Sequence, residues 1–381
     1  MMKSYICPNC FRKNKISNVV FLCKRCNTKK NLEQTTNRSR LNGVFTPKIS
    51  RTNVGGRHYM PVKAKCSCGR WCSMRLCPKC YKTLPDDIEN SREIILTIGG
   101  DSGSGKTQYM GVLLNELENE VIRNQFSCTF KPFGDTKKRY QQYYYEPLYK
   151  WKVLAEKGDT EEIQPFIYTM KIKSKKVILV FYEIAQKGSN ERREQEKRAL
   201  VHSSGVLFFM DPLQLYGIRD HLMQKKGISK AEFWESCQID PEEISFTGGY
   251  IKTIKDTIRK ASYIHRRKAN VSAAIVLPKL DVVKVMLMPG EIVLDSSKKR
   301  YDPAEMHRVS EEIRSLIELY MNSHITKRLR KDFKRVEYFS VSSLGEAPRY
   351  DVQTQKRKIK NICPHRVQDP VLWILSTLGI Q

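Results

Sequence analysis

The fold is decided by residues 94–107, which read IILTIGGDSGSGKT. A short apolar run, long enough for one buried strand, leads into a loop that fits GxxxxGK(S/T) from Gly100 to Thr107. The next segment, QYMGVLLNELENEVIR (108–123), repeats apolar residues at helical spacing. Strand, glycine-rich loop and helix, in this order, are the context in which such a loop binds the phosphates of a nucleotide.

The residue types of this loop suit phosphate and Mg2+. Glycines let backbone N–H groups turn toward phosphate oxygens, and the helix N-terminus favours negative charge. We expect Lys106 to contact the β- and γ-phosphates and the Thr107 hydroxyl to ligate Mg2+. The other expected loop contacts are Gly100, Ser102, Gly103, Ser104 and Gly105. The loop alone does not separate ATP from GTP.

Length and charge bound the rest of the chain. Its 381 residues suit two or three domains, and no apolar run approaches a membrane span, so we expect a cytoplasmic protein. Residues 1–82 hold 19 Lys and Arg and a single acid, which gives this part +18 of the total net charge of +28. Such a basic segment favours nucleic acid, an anionic surface or an acidic protein as partner.

Twelve cysteines in a chain expected to be cytoplasmic indicate metal binding rather than disulfides. One closed, structural zinc site is predicted from two pairs spaced C-x2-C-x12-C-x2-C: Cys7, Cys10, Cys23 and Cys26. A second zinc site is predicted in the segment KCSCGRWCSMRLCPKC (65–80): Cys66, Cys68, Cys77 and Cys80. Cys72 in place of Cys66 is the alternative. Zinc modules of this kind bind nucleic acid or dock proteins, and Trp71 offers a ring for stacking on a base.

These patterns divide the chain into four parts. We predict a zinc ribbon at 1–34, a basic linker or hairpin at 35–61, a second zinc-ribbon module at 62–85 and one nucleotide-binding domain at 86–381. In the last part, strand patterns alternate with helical ones, which indicates an α/β fold with a largely parallel sheet.

A hairpin pattern places an acid close to the glycine-rich loop. Two β-rich runs, about 166–172 and 176–183, flank Lys173-Ser174-Lys175. A hairpin at this point is the layout of Ras-like GTPases, in which its second strand ends in DxxG and serves Mg2+ and the γ-phosphate. The matching residues here are Glu183 and Gln186, so the carboxylate is kept and the glycine is lost. We expect Glu183 to help hold Mg2+ and the Gln186 N–H to meet the γ-phosphate.

Two later strand patterns end in segments that resemble guanine-recognition motifs. The run 273–281 ends in PKLD, which resembles (N/T)KxD, so Lys279 is expected to pack along the base and Asp281 to accept two guanine N–H groups. The run 336–348 contains SSLG, which resembles SAxG, so Ser343 and Leu344 are expected beside guanine O6. The order of these motifs favours GTP over ATP.

Three points stay open. Thr160 is the first choice for a switch threonine that closes on Mg2+ and γ-phosphate, and Thr136 is the second. The strand pattern GVLFFMDP (205–212) ends in Asp211, which in an ATPase would be the Mg2+-binding Walker B acid. An ATPase with nucleic-acid-binding zinc ribbons is therefore one alternative, and a non-catalytic module with a structural nucleotide is another.

The phrases LVFYEIA, FFMDPLQL, PKLD and PHRVQDPVLWIL together resemble the TRAFAC-clade double-GTPase domain of prokaryotic conflict systems, which zinc ribbons often precede. The resemblance covers about residues 90–381. It implies a Ras-like P-loop NTPase with a mostly parallel sheet and one antiparallel hairpin strand, preceded by two small zinc-ribbon modules. It also implies a regulator that uses GTP, Mg2+ and two structural Zn2+ and acts with protein partners in defence. The family has YDIAGE where this chain has YEIAQK, so GTP hydrolysis is expected to be slow.

The remaining patterns predict helices that cover the sheet. Two amphipathic stretches, 250–268 and 309–325, place apolar residues on one face. The C-terminal DPVLWILSTLGI is expected to begin with Asp369 as N-cap and Pro370 in the first turn. The tyrosine-rich stretch 133–151 is interpreted as a helical cap on the sheet.

Overall fold

We describe a computed structural model of the chain. The residues it describes are 4–27, 43–47, 60–100, 103–119, 128–155, 164–184, 189–214, 216–227, 229, 269–281, 302–321, 323–351 and 353–380. Over these ranges, no helix is long and apolar enough to cross a membrane. We call the described residues up to 85 the cysteine lobe and those from 86 onward the sheet domain.

The cysteine lobe is built from seven short strands. They are β1 Ser4–Ile6, β2 Lys13–Lys15, β3 Val20–Leu22, β4 Val44–Phe45, β5 Ala64–Lys65, β6 Trp71–Cys72 and β7 Arg75–Leu76. β1 pairs with β2 and β5 with β6, while β3 lies between β4 and β7 in a three-stranded sheet. The antiparallel pairing of β3 with β7 joins chain segments that lie far apart in the sequence, with Val20 opposite Leu76. The two cysteine-rich segments therefore share one small sheet.

A seven-stranded sheet forms the centre of the sheet domain. Its strands are β8 Arg92–Gly100, β9 Cys128–Pro132, β10 Phe166–Ile172, β11 Lys175–Glu183, β12 Gly205–Phe209, β13 Ala269–Leu277 and β14 Phe333–Ser340. They lie in the order β14-β13-β12-β8-β11-β10-β9. The apolar run of β8 is buried throughout, as expected for a central strand covered on both faces. A small hairpin, β15 Arg349–Asp351 and β16 Lys356–Lys358, follows.

The predicted mixture of parallel and antiparallel strands is confirmed. β8 is parallel to both β11 and β12, and the parallel pairing continues through β13 to β14. β10 is antiparallel to β11, which confirms the hairpin at 166–183. β9, antiparallel to β10, was not predicted, because its sequence CTFKP is short and ends in proline. Proline is tolerated there because β9 is the edge strand of the sheet.

Helices cover both faces of the sheet. Those described are Lys106–Asn119, Thr136–Tyr140, the π-helix Gln141–Lys150, Asn190–Val201, Tyr216–Lys226, Pro303–Met321, Ser323–Asp332 and Asp369–Thr377, with 3-10 turns at Ile16–Asn18, Ile88–Asn90 and Pro212–Gln214. The tyrosine-rich stretch is helical, as predicted. The predicted helix 309–325 is in fact two helices, and the C-terminal helix has Gln368 rather than Asp369 as its N-cap. The predicted helix 250–268 lies outside the described residues.

The hydrophobic core has two parts. One contains the glycine-rich-loop helix, the buried tyrosines of the 136–150 stretch and the C-terminal helix, together with the side chains of the sheet that face them. The other joins residues of the sheet to the cysteine lobe, so that Phe11 and Cys77 belong to the same cluster as Val180 and Tyr182 of β11. The lobe is therefore packed directly on the sheet domain.

Candidate nucleotide site and metal centres

The candidate site lies at one edge of the sheet. Because β8, β11, β12, β13 and β14 are parallel, their carboxyl ends meet at the same edge. Ligands of open α/β sheets bind in the crevice outside these ends. Most of the residues proposed from the sequence follow one of the five strands at this edge.

The glycine-rich loop leaves β8 at Gly100. Gly100 has a φ of +143°, and a Cβ atom there would lie 2.1 Å from the carbonyl oxygen of Phe209 in β12, so this position requires glycine. Lys106 Nζ donates to the Gly100 carbonyl at 3.1 Å and contacts the buried Ser104 Oγ at 3.2 Å. The lysine thus extends across the loop that it closes. Gly103 also has a positive φ, of +68°.

The helix begins where the motif ends. Tyr109 N donates to the carbonyl of Gly105, which has a positive φ, at 2.9 Å. Thr107 therefore lies in the first turn of the helix Lys106–Asn119, beside the positive end of the helix dipole. Ser102 lies outside the described residues.

The acid of the predicted hairpin lies next to this loop. Glu183 is the last residue of β11, is buried, and is paired in register with Ile98 of β8. Thr136, the second choice for a switch threonine, is fully buried and accepts a hydrogen bond from Ile167 N at 3.1 Å, so it joins two segments of the sheet domain. Thr160 and Gln186 lie outside the described residues.

The two segments proposed for guanine recognition are joined to each other. Ser342 Oγ donates to Asp281 Oδ1 at 2.7 Å and accepts from Gly345 N at 2.9 Å. Leu344, one of the expected base contacts, is buried, and its carbonyl accepts from Cys363 N at 2.9 Å. Ser343 is partly buried in the same turn. Ser342 was not singled out from the sequence, although it is the first residue of SSLG and carries a hydroxyl.

Asp211 has partners for both of its carboxylate oxygens. Lys279 Nζ donates to Oδ2 at 2.6 Å and Leu213 N donates to Oδ1 at 3.0 Å. Asp211 is fully buried and Lys279 is partly exposed. Asp211 thus anchors the lysine of the PKLD segment. The two residues are 68 positions apart in the sequence, so no local pattern indicates this contact.

A side chain of the loop helix fixes a second segment near the site. Gln108, directly after Thr107, donates from Nε2 to the Ala155 carbonyl at 2.9 Å and accepts from Ala155 N at 3.0 Å. The clamp holds the backbone five residues before Thr160. A single glutamine carries no sequence signal for such a role.

The eight predicted metal ligands form two clusters, but their grouping differs from the prediction. The first cluster is Cys7, Cys10, Cys77 and Cys80, and the second cluster is Cys23, Cys26, Cys66 and Cys68. The predicted pairing of Cys7 and Cys10 with Cys23 and Cys26 is wrong. Because β7 runs antiparallel to β3, Cys77 after β7 and Cys23 after β3 lie at opposite ends of the ladder.

Both clusters have the dimensions of a zinc site. In the first, Sγ–Sγ distances are 3.7 Å for Cys7–Cys80 and 3.9 Å for Cys10–Cys77, and in the second they are 3.6 Å for Cys23–Cys68 and 3.8 Å for Cys26–Cys66. A tetrahedral Zn2+ with Zn–S bonds of about 2.3 Å has S–S edges of about 3.8 Å. Each cluster can therefore hold one structural zinc.

The remaining cysteine of the second segment is not a member of either cluster. Cys72 is buried, with its Sγ against the Arg70 carbonyl at 3.8 Å. The open choice between Cys66 and Cys72 is thus decided in favour of Cys66.

The first cluster lies against the sheet domain. Gln195 Nε2 and Arg198 Nε donate to the carbonyls of Asn9 and Cys10 at 3.0 and 3.1 Å. Both donors are on the helix Asn190–Val201, which follows β11 and Glu183 in the chain.

Two further contacts support this packing. The Phe11 ring meets Tyr182, the neighbour of Glu183, edge to face at 4.9 Å between centroids. Ile6 N donates to Glu93 Oε1 at 3.1 Å, and burial raises the pKa of this glutamate.

A groove lies between the lobe and the sheet domain. Its volume is about 430 Å³, and it is lined by residues of both parts, among them Leu22, Asn27 and Val44 of the lobe and Phe133 and Gln164 of the sheet domain. Asn27 directly follows Cys26 of the second cluster.

These features define an α/β protein with a mostly parallel seven-stranded sheet and two four-cysteine clusters that can hold zinc. No protein-family model matches the chain. A relative from Mycolicibacterium smegmatis, the putative ESX-1 scaffolding and assembly protein SaeC, is 24% identical over 336 residues. The match covers 81% of this chain and 81% of the relative.

Proposed function

We propose that the chain is a GTP-binding regulatory protein. The observation that carries this proposal is the hydrogen bond between Ser342 and Asp281. It joins the segments PKLD and SSLG at the sheet edge where β8 ends in the glycine-rich loop and β11 ends in Glu183. One line of strand ends thus brings together three features. They are a loop suited to phosphate, an acid suited to Mg2+ and a positioned carboxylate suited to a guanine base.

Each side chain has a role that follows from its chemistry. Lys106 and the loop amides bind the phosphates, while Thr107 and Glu183 hold Mg2+ directly or through water. Asp281 accepts the N1–H and exocyclic N–H of guanine. Adenine has an acceptor at N1, so a carboxylate selects against it. The Ser342 hydroxyl occupies Asp281 Oδ1 from the side and thereby fixes the plane of the carboxylate.

The engagement of Asp211 favours GTPase chemistry over the ATPase alternative. A Walker B acid needs a carboxylate that faces Mg2+, whereas the ammonium of Lys279 lies 2.6 Å from Asp211 Oδ2 and repels a second cation there. Removing Lys279 would leave the buried charge of Asp211 uncompensated. Asp211 therefore serves to fix Lys279 and, through the PKLD segment, the position of Asp281.

The chain hydrolyses GTP slowly. Water attacks the γ-phosphorus, the β–γ phosphoanhydride bond breaks, and GDP and phosphate are formed. Gln186 stands where the related motif has glycine, which restricts the backbone that meets the γ-phosphate. An activating partner is expected to accelerate the step. If the nucleotide had a purely structural role, the unmodified chain would hydrolyse GTP no faster than the Lys106→Ala variant.

The cysteine lobe responds to whether the bound nucleotide carries a γ-phosphate. The helix Asn190–Val201 follows the strand that ends in Glu183, and it holds the backbone of Asn9 and Cys10. A structural change at the γ-phosphate can therefore reach the first cluster through β11 and this helix. The relative is named as a scaffolding and assembly protein, which supports protein partners for this chain as well. We propose that this chain regulates a protein assembly. The double-GTPase resemblance implies that this assembly acts in defence.

The test is nucleotide binding to the zinc-loaded chain with GTP and ATP side by side. We expect Mg2+-dependent selectivity for GTP. Asp281→Asn should weaken the affinity for GTP about 100-fold, because two charge-assisted hydrogen bonds to guanine are lost. The same variant should gain affinity for xanthosine triphosphate, whose carbonyl at position 2 accepts from the new amide. Asp86→Asn, at an exposed carboxylate outside the site, is the matched control. Equal binding of ATP and GTP, unchanged by Asp281→Asn, would contradict the proposal.

A further inference from the structure

The hairpin β5–β6 exposes a tryptophan beside a lysine. Ala64 and Cys72 face the interior of the lobe, whereas Lys65 and Trp71, which are paired directly across the two strands, are exposed. The Trp71 side chain is 65% exposed. Side chains opposite each other in an antiparallel pair lie about 5 Å apart at their Cβ atoms. The hairpin thus presents an indole face and an ammonium group together.

The surroundings of Trp71 are positively charged. The described residues between Ser4 and Lys82 include eleven Lys and Arg and no Asp or Glu. Lys63 and Arg70, both exposed, flank the hairpin pair, and neither they nor Lys65 form an ion pair with a described residue. A zinc ion with four thiolates carries two negative charges, so the lobe remains positive when both clusters are filled.

We propose that this hairpin binds single-stranded nucleic acid without sequence preference. The Trp71 ring stacks on one base, and Lys63, Lys65 and Arg70 bind the phosphates on either side of it. Positive grooves with exposed aromatic rings bind single strands in this way, because every base has a face for stacking. The inference does not depend on the nucleotide proposed for the sheet domain.

Charge and exposure favour nucleic acid over an anionic membrane. Membrane-binding tips bury several apolar side chains in the interface. In the described part of the lobe, Val62 is the sole large apolar residue besides Trp71 that is exposed. One ring surrounded by cations suits a stacked base and its phosphates better than insertion into lipid.

The experiment measures fluorescence anisotropy of labelled single-stranded RNA and DNA 12-mers with the zinc-loaded full chain in the absence of nucleotide. Trp71→Ala should weaken binding about tenfold, which is the loss of one base stack. Trp71→Phe should restore most of the affinity. Trp151→Ala is the matched control, because Trp151 is 55% exposed but lies on the sheet domain. It should leave binding unchanged.

Salt dependence tests the phosphate contacts separately. Replacing Lys65 and Arg70 by alanine should reduce the slope of log affinity against log salt by about 1.4, the value for two phosphates on a single strand. Lys137→Ala with Lys138→Ala, at exposed lysines of the sheet domain, controls for the loss of charge alone. Zinc content and thermal midpoint, measured for each variant, confirm that the hairpin is folded.

Three results would overturn the proposal. One is the absence of binding to either oligonucleotide at low salt. Another is binding that Trp71→Ala leaves unchanged. The third is Trp71-dependent binding to phosphatidylserine vesicles by a chain that does not bind the oligonucleotides, which would assign the hairpin to a membrane surface.

Discussion

The two four-cysteine clusters have the same ligands and nearly the same sulfur spacing, yet they lie in different surroundings. The first cluster (Cys7, Cys10, Cys77 and Cys80) packs on the sheet domain, where the helix Asn190–Val201 binds its backbone. The second cluster (Cys23, Cys26, Cys66 and Cys68) holds the hairpin that exposes Trp71. The comparison shows that one four-cysteine arrangement can lie at the contact between the lobe and the sheet domain and, a few strands away, hold an exposed hairpin.

The largest effect is expected from removing one ligand of each cluster. Cys77→Ser should lower the free energy of unfolding by at least about 3 kcal/mol, because the first cluster also holds the backbone that the helix Asn190–Val201 binds, so its loss weakens the contact with the sheet domain as well. Cys66→Ser should cost less and act within the lobe. Zinc analysis and thermal denaturation of both variants measure this, with one zinc lost in each. An equal loss of stability in the two variants would break the distinction.

A smaller effect is expected at the contact between helix and first cluster. Arg198→Ala removes the hydrogen bond to the Cys10 carbonyl and should destabilise the lobe contact by about 1–2 kcal/mol. Zinc should then leave the first cluster faster, as measured with a coloured chelator, and leave the second at an unchanged rate. Arg193→Ala, on the exposed side of the same helix, is the control. Equal acceleration at both clusters would show that the helix does not act on one of them selectively.

The second cluster should be separable from the nucleotide site. Cys66→Ser should keep GTP affinity within about twofold of the unmodified chain, because Cys66 lies beside the hairpin and not at the nucleotide site. The same variant should abolish oligonucleotide binding. Titrations of the same sample with both ligands test this. A large loss of GTP affinity in this variant would contradict the assignment of separate roles to the two clusters.

The smallest effect concerns pH. Burial lowers the pKa of His202, and the charge of Lys13 in the cysteine lobe adds to the shift. The folded chain therefore favours the neutral ring, so its contribution to stability is present above the ordinary pKa of 6.5 and is lost as the pH falls below it. His202→Gln should flatten the stability profile between about pH 7 and 5. Denaturant unfolding of the two chains at several pH values measures this slope, and equal slopes would contradict the role of His202.

The local parts of this architecture could be predicted from the sequence. The apolar run of β8, the glycine-rich loop and the hairpin at 166–183 each depend on short stretches whose spacing fixes the structure. The eight thiols were identified for the same reason, since each knuckle is local.

Contacts between distant segments could not be predicted. The grouping of the cysteines depends on the β3–β7 pairing, and the partners of Asp211, Asp281 and Gln108 lie far along the chain. Hydroxyls, amides and lysines have no periodic pattern that reveals such partners. The edge strand β9 was missed because five residues ending in proline do not form a strand pattern.

Amide hydrogen exchange of the zinc-loaded chain, with GDP and with a non-hydrolysable GTP analogue, tests the central claim most directly. We predict that exchange differs between the two nucleotides in the segment 5–12 and in the helix Asn190–Val201, and is the same in the hairpin 62–73. Identical exchange of the 5–12 segment with both nucleotides would contradict coupling to the first cluster. Equal changes in both segments would contradict the distinction between the clusters.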